Sequence, residues 1–356
     1  MIAERRSADL PASATIDLDA YGRNLAMLRH LVAPAELMAV VKSEAYGHGL
    51  EPMIQAAQLA GIDWFGALDI PTALRVRAVL PGASIFAWLL GPDEPYETAV
   101  AASVDLGVST IRQLEQIGSV HADRPASVHL KIDTGLHRNG ATESEWPMLV
   151  TRAIDLERSG ALTLRGIWTH ISEASEEEDS ASIVAFEAAL GVAGRLGARV
   201  PLRHLAASSA AYSRPDARFD MVRIGAFGYG IAPGGGIGPA QLALEPVMTV
   251  SASVFDVRDG RAYLAIGTGD GISSASVGSG TVAIAGVQYP IIEVGLDWTG
   301  ILTGEAAVHP GQRAVLFGPG TQGEATLQEW ADAMGTIGEE IVTRLDPRLP
   351  RTYVGR

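Results

Sequence analysis

From Ala14 to about residue 232 short apolar runs alternate with amphipathic segments, and this alternation limits the fold more than any other feature. The apolar runs fall at 14–18, 37–41, 64–67, 84–88, 104–108, 127–132, 166–169 and 222–229. Helical patterns such as 20–31, 50–60, 71–79, 110–120 and 180–196 lie between them. Strands alternating with helices imply parallel βαβ units, and eight such units close a TIM-like barrel. Gly234-Gly235-Gly236-Ile237-Gly238-Pro239 then breaks the pattern. Beyond it, 247–257, 262–266, 281–285, 291–294 and 313–317 read as short strands interrupted by one helix at 327–334. The expected class is α/β: an N-terminal (β/α)8 barrel at 14–238 and a C-terminal β-rich domain at 239–356, with 1–13 packed on the latter. The acidic stretch 173–179 reads as a solvated loop or a helix start.

Charge narrows the partners. A formal net charge of −14, with 27 Lys and Arg against 41 Asp and Glu, argues against a nucleic acid or an anionic membrane. No cysteine is present, which excludes disulfides and thiolate chemistry. The first ten residues hold no apolar h-region, and no stretch nears the roughly 18 uncharged apolar residues of a membrane span. A soluble cytoplasmic enzyme is the expectation.

The second apolar run ends on Lys42 and opens into Ser43-Glu44-Ala45-Tyr46-Gly47-His48-Gly49. A strand end entering a Gly-containing loop is where α/β barrels carry their chemistry. Burial disfavours the ammonium form, so a lysine there is expected to lose its proton and act as nucleophile and base. That chemistry suits an aldehyde cofactor held as a Schiff base, which makes Lys42 a candidate anchor for pyridoxal 5′-phosphate. The competing reading is a lysine that merely snorkels from a strand end.

The string Val40-Val41-Lys42 followed by Ala45-Tyr46-Gly47-His48-Gly49 resembles the cofactor-lysine motif of the alanine racemase family, enzymes of fold-type III. Further segments follow in that family's order. Lys131-Ile132-Asp133-Thr134-Gly135-Leu136-His137-Arg138-Asn139-Gly140 is similar to a segment whose arginine faces the cofactor phenol and the substrate carboxylate, which implies that role for Arg138. Lys131 matches a lysine that some members carry as a carbamate, a surface or ion-pair role remaining equally open. Thr169-His170-Ile171 resembles the segment whose histidine lies beside the pyridine ring, although a lone strand-end histidine is more often a satisfied core residue. His204-Leu205-Ala206-Ala207-Ser208 and Met221-Val222-Arg223-Ile224-Gly225 imply Ser208 as a phosphate ligand and Arg223 as donor to the pyridine nitrogen. Gly225 and Ala226 would add backbone N–H groups to the phosphate site, and Tyr46 its phenol. Arginine has only donors, so a ring nitrogen facing Arg223 stays unprotonated; that favours quick proton return over transamination.

The resemblance also implies a homodimer with shared sites, in which a tyrosine from the partner is the second base opposite the cofactor lysine. Inversion at Cα needs a proton donor on each face. Here only Arg258-Asp259-Gly260 separates Val257 from Arg261-Ala262-Tyr263, so that tyrosine's hairpin is absent. Thr268 replaces a substrate-channel tyrosine and Glu339 a phosphate-binding one, and both enter the candidate site on that ground. Leu296 stands before Asp297, and Ala207 beside Ser208, where the family has methionine and asparagine. The expected activity is Lys42-dependent chemistry at the Cα of an amino acid, diverged to an altered substrate or a one-base reaction such as stereospecific exchange, retro-aldol cleavage or decarboxylation. A working amino-acid racemase with a substitute base and a non-catalytic pyridoxal phosphate carrier are the alternatives. No metal site is expected.

Overall fold

A computed structural model describes residues 12–356; of the 1–13 segment expected to pack on the C-terminal domain, residues 1–11 lie outside the described residues. Eight parallel strands close a barrel: Glu36–Val40, Trp64–Leu68, Ser84–Ala87, Val104–Val108, Ala126–Lys131, Leu162–Trp168, Leu202–His204 and Met221–Ile224. Its core holds Met38, Trp64, Phe86, Trp168 and Met221. Large rings fit because some wall positions carry no side chain. A Cβ on Gly107 would sit 2.7 Å from Trp88 Cβ, and one on Gly166 would sit 2.3 Å from His129 Nδ1.

The strand expected to open the barrel belongs elsewhere. Ser13–Asp17 runs antiparallel to Met248–Arg258 and parallel to Arg351–Val354. Its burial alternates along its length, whereas Val104–Val108 is buried at every residue. One-sided burial belongs to a sheet with one face against a core, and continuous burial to a parallel barrel. The vacant barrel place is filled by Leu202-Arg203-His204, which is short and two-thirds polar and so leaves no apolar run in the sequence. Further along, a helix at Gly338–Arg344 joins the expected one at Leu327–Met334.

Two compact units result. One contains the barrel strands and comprises Leu25–Lys42 and Ala57–Gly225; the other comprises residues up to Asn24, Ser43–Ala56 and Ala226–Arg356. The unit that contains the barrel strands ends at Gly225. The second unit carries an eight-stranded sheet in the order Arg261–Leu264, Thr299–Leu302, Val287–Val294, Thr281–Ile284, Arg313–Phe317, Met248–Arg258, Ser13–Asp17, Arg351–Val354.

Within that unit Asn24 ties down the turn Ala226–Tyr229. Its Nδ2 donates to Gly228 O at 3.0 Å and to Glu245 O at 2.8 Å, and its Oδ1 accepts from Glu245 N at 2.9 Å. Asn24 is 1% exposed, so truncation leaves three backbone groups without water or partner. Asn24→Ala is expected to cost about 2–4 kcal/mol in equilibrium urea unfolding; a loss below about 0.5 kcal/mol refutes this account of the turn.

Candidate active site

The strand Glu36–Val40 delivers Lys42 into a backbone that reverses hand. Ser43, Glu44, Ala45 and Tyr46 have φ of 53°, 54°, 53° and 54°, a left-handed helical turn where a Gly-containing loop was expected. Each non-glycine residue in that conformation costs about 1–2 kcal/mol, so the surroundings must impose it. Backbone bonds do part of this: Gly47 N donates to Ser43 O at 2.8 Å, and Gly49 N to Glu44 O at 2.9 Å. Burial pushes His48 down to about 4, so its ring is neutral, and Nδ1–H donates to Tyr46 O at 2.9 Å and Ala45 O at 3.1 Å. Gly47 has φ 76°, and a Cβ there would lie 2.4 Å from Val342 O, so only glycine fits.

At the barrel's strand ends the first unit gathers Lys42, Lys131, Arg138, His170, Ser208, Arg223 and Gly225. Arg223 is 4% exposed. Its Nη1 donates to His204 Nδ1 at 3.0 Å, and its Nη2 lies 2.9 Å from Thr169 O, 3.0 Å from Leu205 O and 3.1 Å from His170 Nδ1. Burial pulls this guanidinium down to about 9, which leaves it charged at neutral pH. His170 is pushed well below the usual histidine range by burial first, then by Arg223, Arg138, Lys131 and Lys42. Both imidazoles bonded to Arg223 are consequently neutral acceptors. Gly225 N donates to Ser208 Oγ at 3.0 Å, so these two expected phosphate groups are adjacent. Lys131 is 2% exposed, bonded to Asn139 Oδ1 and set 4.7 Å over the Trp168 ring, which excludes a surface role.

Four residues named from sequence lie in the other unit. Tyr46 is buried with its ring 4.8 Å from that of Tyr229, which stacks on Tyr21 at 5.0 Å. Ala226 opens the turn Ala226–Tyr229. Thr268 is exposed in a tight turn, its N–H donating to Gly295 O at 2.9 Å. Glu339 is in the first turn of Gly338–Arg344, its carbonyl accepting from Thr343 Oγ1 at 2.6 Å.

Sequence reasoning gave no role to Asp105, His129, His204 or Glu173. His204 stood at the head of a quoted motif and His129 two residues before another; the signal for His129 was a histidine within a largely apolar run. Glu173 begins the acidic run, yet its Oε1 accepts from Ala210 N at 2.8 Å in the first turn of Ser208–Ser213. Asp179, at the other end of the run, is buried, whereas Glu176, Glu177 and Glu178 fill the solvated first turn of Glu176–Leu196. Negative charge is favoured there.

Comparison with known proteins places this geometry. The N-terminal domain model of alanine racemase matches residues 16–233, and its C-terminal domain model matches 251–353. The chain belongs to the alanine racemase family. Alanine racemases of Thermobifida fusca and Salinispora tropica are 38% and 40% identical to it, over 97% of this chain and 98% of each relative. The Thermobifida alignment spans 369 residues, more than this chain's 356, so that relative carries segments absent here. The alanine racemase structure from Streptomyces coelicolor superposes with a TM-score of 0.94 at 37% identity, covering 97% of this chain and 98% of that one. The one from Streptomyces lavendulae gives 0.94 at 35%, covering 97% of each. The cofactor of this family is pyridoxal 5′-phosphate.

The barrel end suits that group. Two lysines and two arginines converge on His170, while Asp133, the nearby carboxylate, is held by His137 through Nδ1 at 2.9 Å and backbone N–H at 3.0 Å. Such a site favours an anionic ligand carrying phosphate, phenolate or carboxylate.

Lys131 supplies a test of this electrostatic picture. Burial, then Arg223 and Arg138, holds it at about 7, against 10.5 for an ordinary lysine. Between those values the unfolded chain binds a proton that the folded chain does not, so stability rises with pH across that window. Relative to Lys131→Met, the parent protein is expected to gain stability between about pH 6 and about pH 9. A constant difference between the two urea midpoints would contradict the shift.

Proposed function

We propose that this chain catalyses proton exchange at the Cα of an amino acid, working from the Lys42 face alone. Bound through Lys42, pyridoxal phosphate supplies an electron sink conjugated to the substrate amino group. The Lys42 amine takes and returns the Cα proton. Arg138, exposed at the barrel mouth, takes the substrate carboxylate through its planar fork. Ser208 Oγ and the Gly225 amide, 3.0 Å apart, serve the phosphate. Arg223 can only donate toward the ring nitrogen, so charge developing at Cα is poorly delocalised and the proton returns quickly. Its neutral partners His170 and His204 offer no acid of ordinary strength at neutral pH.

One observation carries the one-base reading. The hairpin between Met248–Arg258 and Arg261–Leu264 is a two-residue turn: Arg258 pairs with Arg261, and Asp259 and Gly260 have φ of 51° and 68°. Those values describe the tight turn that joins strands most directly. The family's second base sits on a longer hairpin at this place, and none fits here. A second reading, alanine racemisation with a substitute base, draws support from the full-length match to enzymes named alanine racemase.

A panel of L-amino acids in deuterium oxide, read by NMR and chiral chromatography, separates the two. Cα exchange with retention is expected. Fast inversion of L-alanine would establish the second reading, and loss of carbon dioxide or an aldehyde would replace both. Lys42→Ala is expected to abolish exchange and the visible absorbance of the bound cofactor together.

We further propose a homodimer in which Thr268, Leu296 and Asp297 face the other copy's cofactor. Leu296 is 73% exposed and its carbonyl accepts from Gly269 N at 2.7 Å, which makes one exposed ridge of the two turns. Light scattering is expected to give twice the chain mass, with Leu296→Glu lowering it; an active monomer would refute the shared site.

A further inference from the structure

The barrel interior contains a continuous line of polar side chains that the Cα chemistry leaves unused. Arg223 Nη1 donates to His204 Nδ1 at 3.0 Å, His204 Nε2 lies 2.8 Å from His129 Nδ1, and His129 Nε2 lies 3.1 Å from Asp105 Oδ2. Arg165 Nε approaches the same carboxylate oxygen at 3.5 Å. Both imidazoles are fully buried, Asp105 is 5% exposed, and Arg165 is half-exposed. Asp105 is the second residue of its strand and Arg223 the third of four in its own, so the line runs from the strand starts toward the strand ends.

We propose that Asp105, His129 and His204 are positioning residues, a buried relay that fixes the Arg223 guanidinium from the far end of the barrel. The direction of every bond follows from its ends. A guanidinium can only donate, so His204 Nδ1 accepts and its single proton sits on Nε2. That proton is given to His129 Nδ1, which forces the second ring's proton onto Nε2, aimed at Asp105. Reversing any one ring brings two N–H groups face to face inside the barrel. One carboxylate at the far end therefore determines whether Arg223 has an acceptor in the plane of its Nη1. The chain also sets a buried cation against a buried anion through two polarised rings, a favourable arrangement in low dielectric.

Packing is arranged around this line. Gly166 pairs with His129 in the parallel register, and any side chain there would strike the ring at 2.3 Å from Nδ1. Trp168 stacks on His204 with centroids 5.6 Å apart and planes within 8°, and Phe86 stands 4.8 Å from His129. Both rings are fully buried and closely packed, which disfavours a flip. A merely structural pair of histidines would require no common proton direction.

The role of Arg223 rests on the cofactor reading above, whereas the proton arrangement does not, so the two are tested separately. Long-range 15N–1H spectra of the full-length protein labelled at histidine are expected to show His204 and His129 as Nε2–H tautomers. An Nδ1–H tautomer or an imidazolium in either ring overturns the relay, whatever reaction the enzyme performs. Asp105→Asn retains an acceptor oxygen, because Arg165 orients the amide, and Asp105→Leu does not. In the holoenzyme, Asp105→Leu is expected to weaken pyridoxal phosphate binding about tenfold and to shift the pH midpoint of the cofactor's visible band, with Asp105→Asn within about threefold of the parent. A folded Asp105→Leu protein with parental tautomers and parental cofactor affinity overturns the proposal. If that variant does not fold, Gly166→Ala, which pushes on His129 while removing no polar group, must produce the same shifts; parental values there also overturn it.

Discussion

A single buried cation organises the barrel end. Arg223 is charged, nearly inaccessible and bonded to acceptors from two different segments: the Thr169 and His170 strand end and the His204–Leu205 stretch. A guanidinium removed from water is stable only where its donors meet acceptors, and leaving one unmet costs several kcal/mol. This requirement dictates the protonation of both histidines around it, since each must present a bare nitrogen. Burial drives Lys131 nearby toward neutrality, and repulsion from Arg223 adds to it.

The other dependence is conformational. Lys42 is followed by four residues in left-handed backbone, and the histidine and glycines of the motif serve that turn rather than the reaction. His48 bonds two of its carbonyls, Gly47 admits the close approach of Val342 O, and Tyr353 Oη donates to His48 O at 3.0 Å. A strained segment of this kind holds one geometry or none. The turn that follows Lys42 is therefore held by His48, Gly47 and Tyr353, which accounts for the length of the sequence signature there.

Much of this was legible in the sequence, and the failures have physical causes. The count of eight barrel strands was right through two compensating errors. Ser13–Asp17 looked like a barrel strand because its alternation is weak over five residues, and Leu202–His204 was invisible because three residues, two of them polar, leave no hydrophobic pattern. Motif order gave Lys42, Arg138 and His170, each just past a readable strand, and Arg223 within one; Ser208 came from its motif alone, because the strand before it is unreadable. The relay behind it was not legible: Asp105, His129 and His204 come from strands far apart in sequence, and only closure of the barrel brings them into line. Hand reversal after Lys42 was likewise unreadable, because Ser43 and Glu44 carry no preference for positive φ.

The same constraint bears on the reaction. In the proposed reaction Arg223 would only donate toward the cofactor's ring nitrogen, which would favour quick return of the proton by Lys42. With a second base across the substrate, that quick return would be divided between two faces. The tight Asp259-Gly260 turn supports the proposed reading, in which the returning acid is the group that took the proton. Retention is the outcome that the proposed one-base reading predicts. The donor-only partner at the cofactor ring and the shortened hairpin thus favour one outcome, in which the face that takes the proton also gives it back.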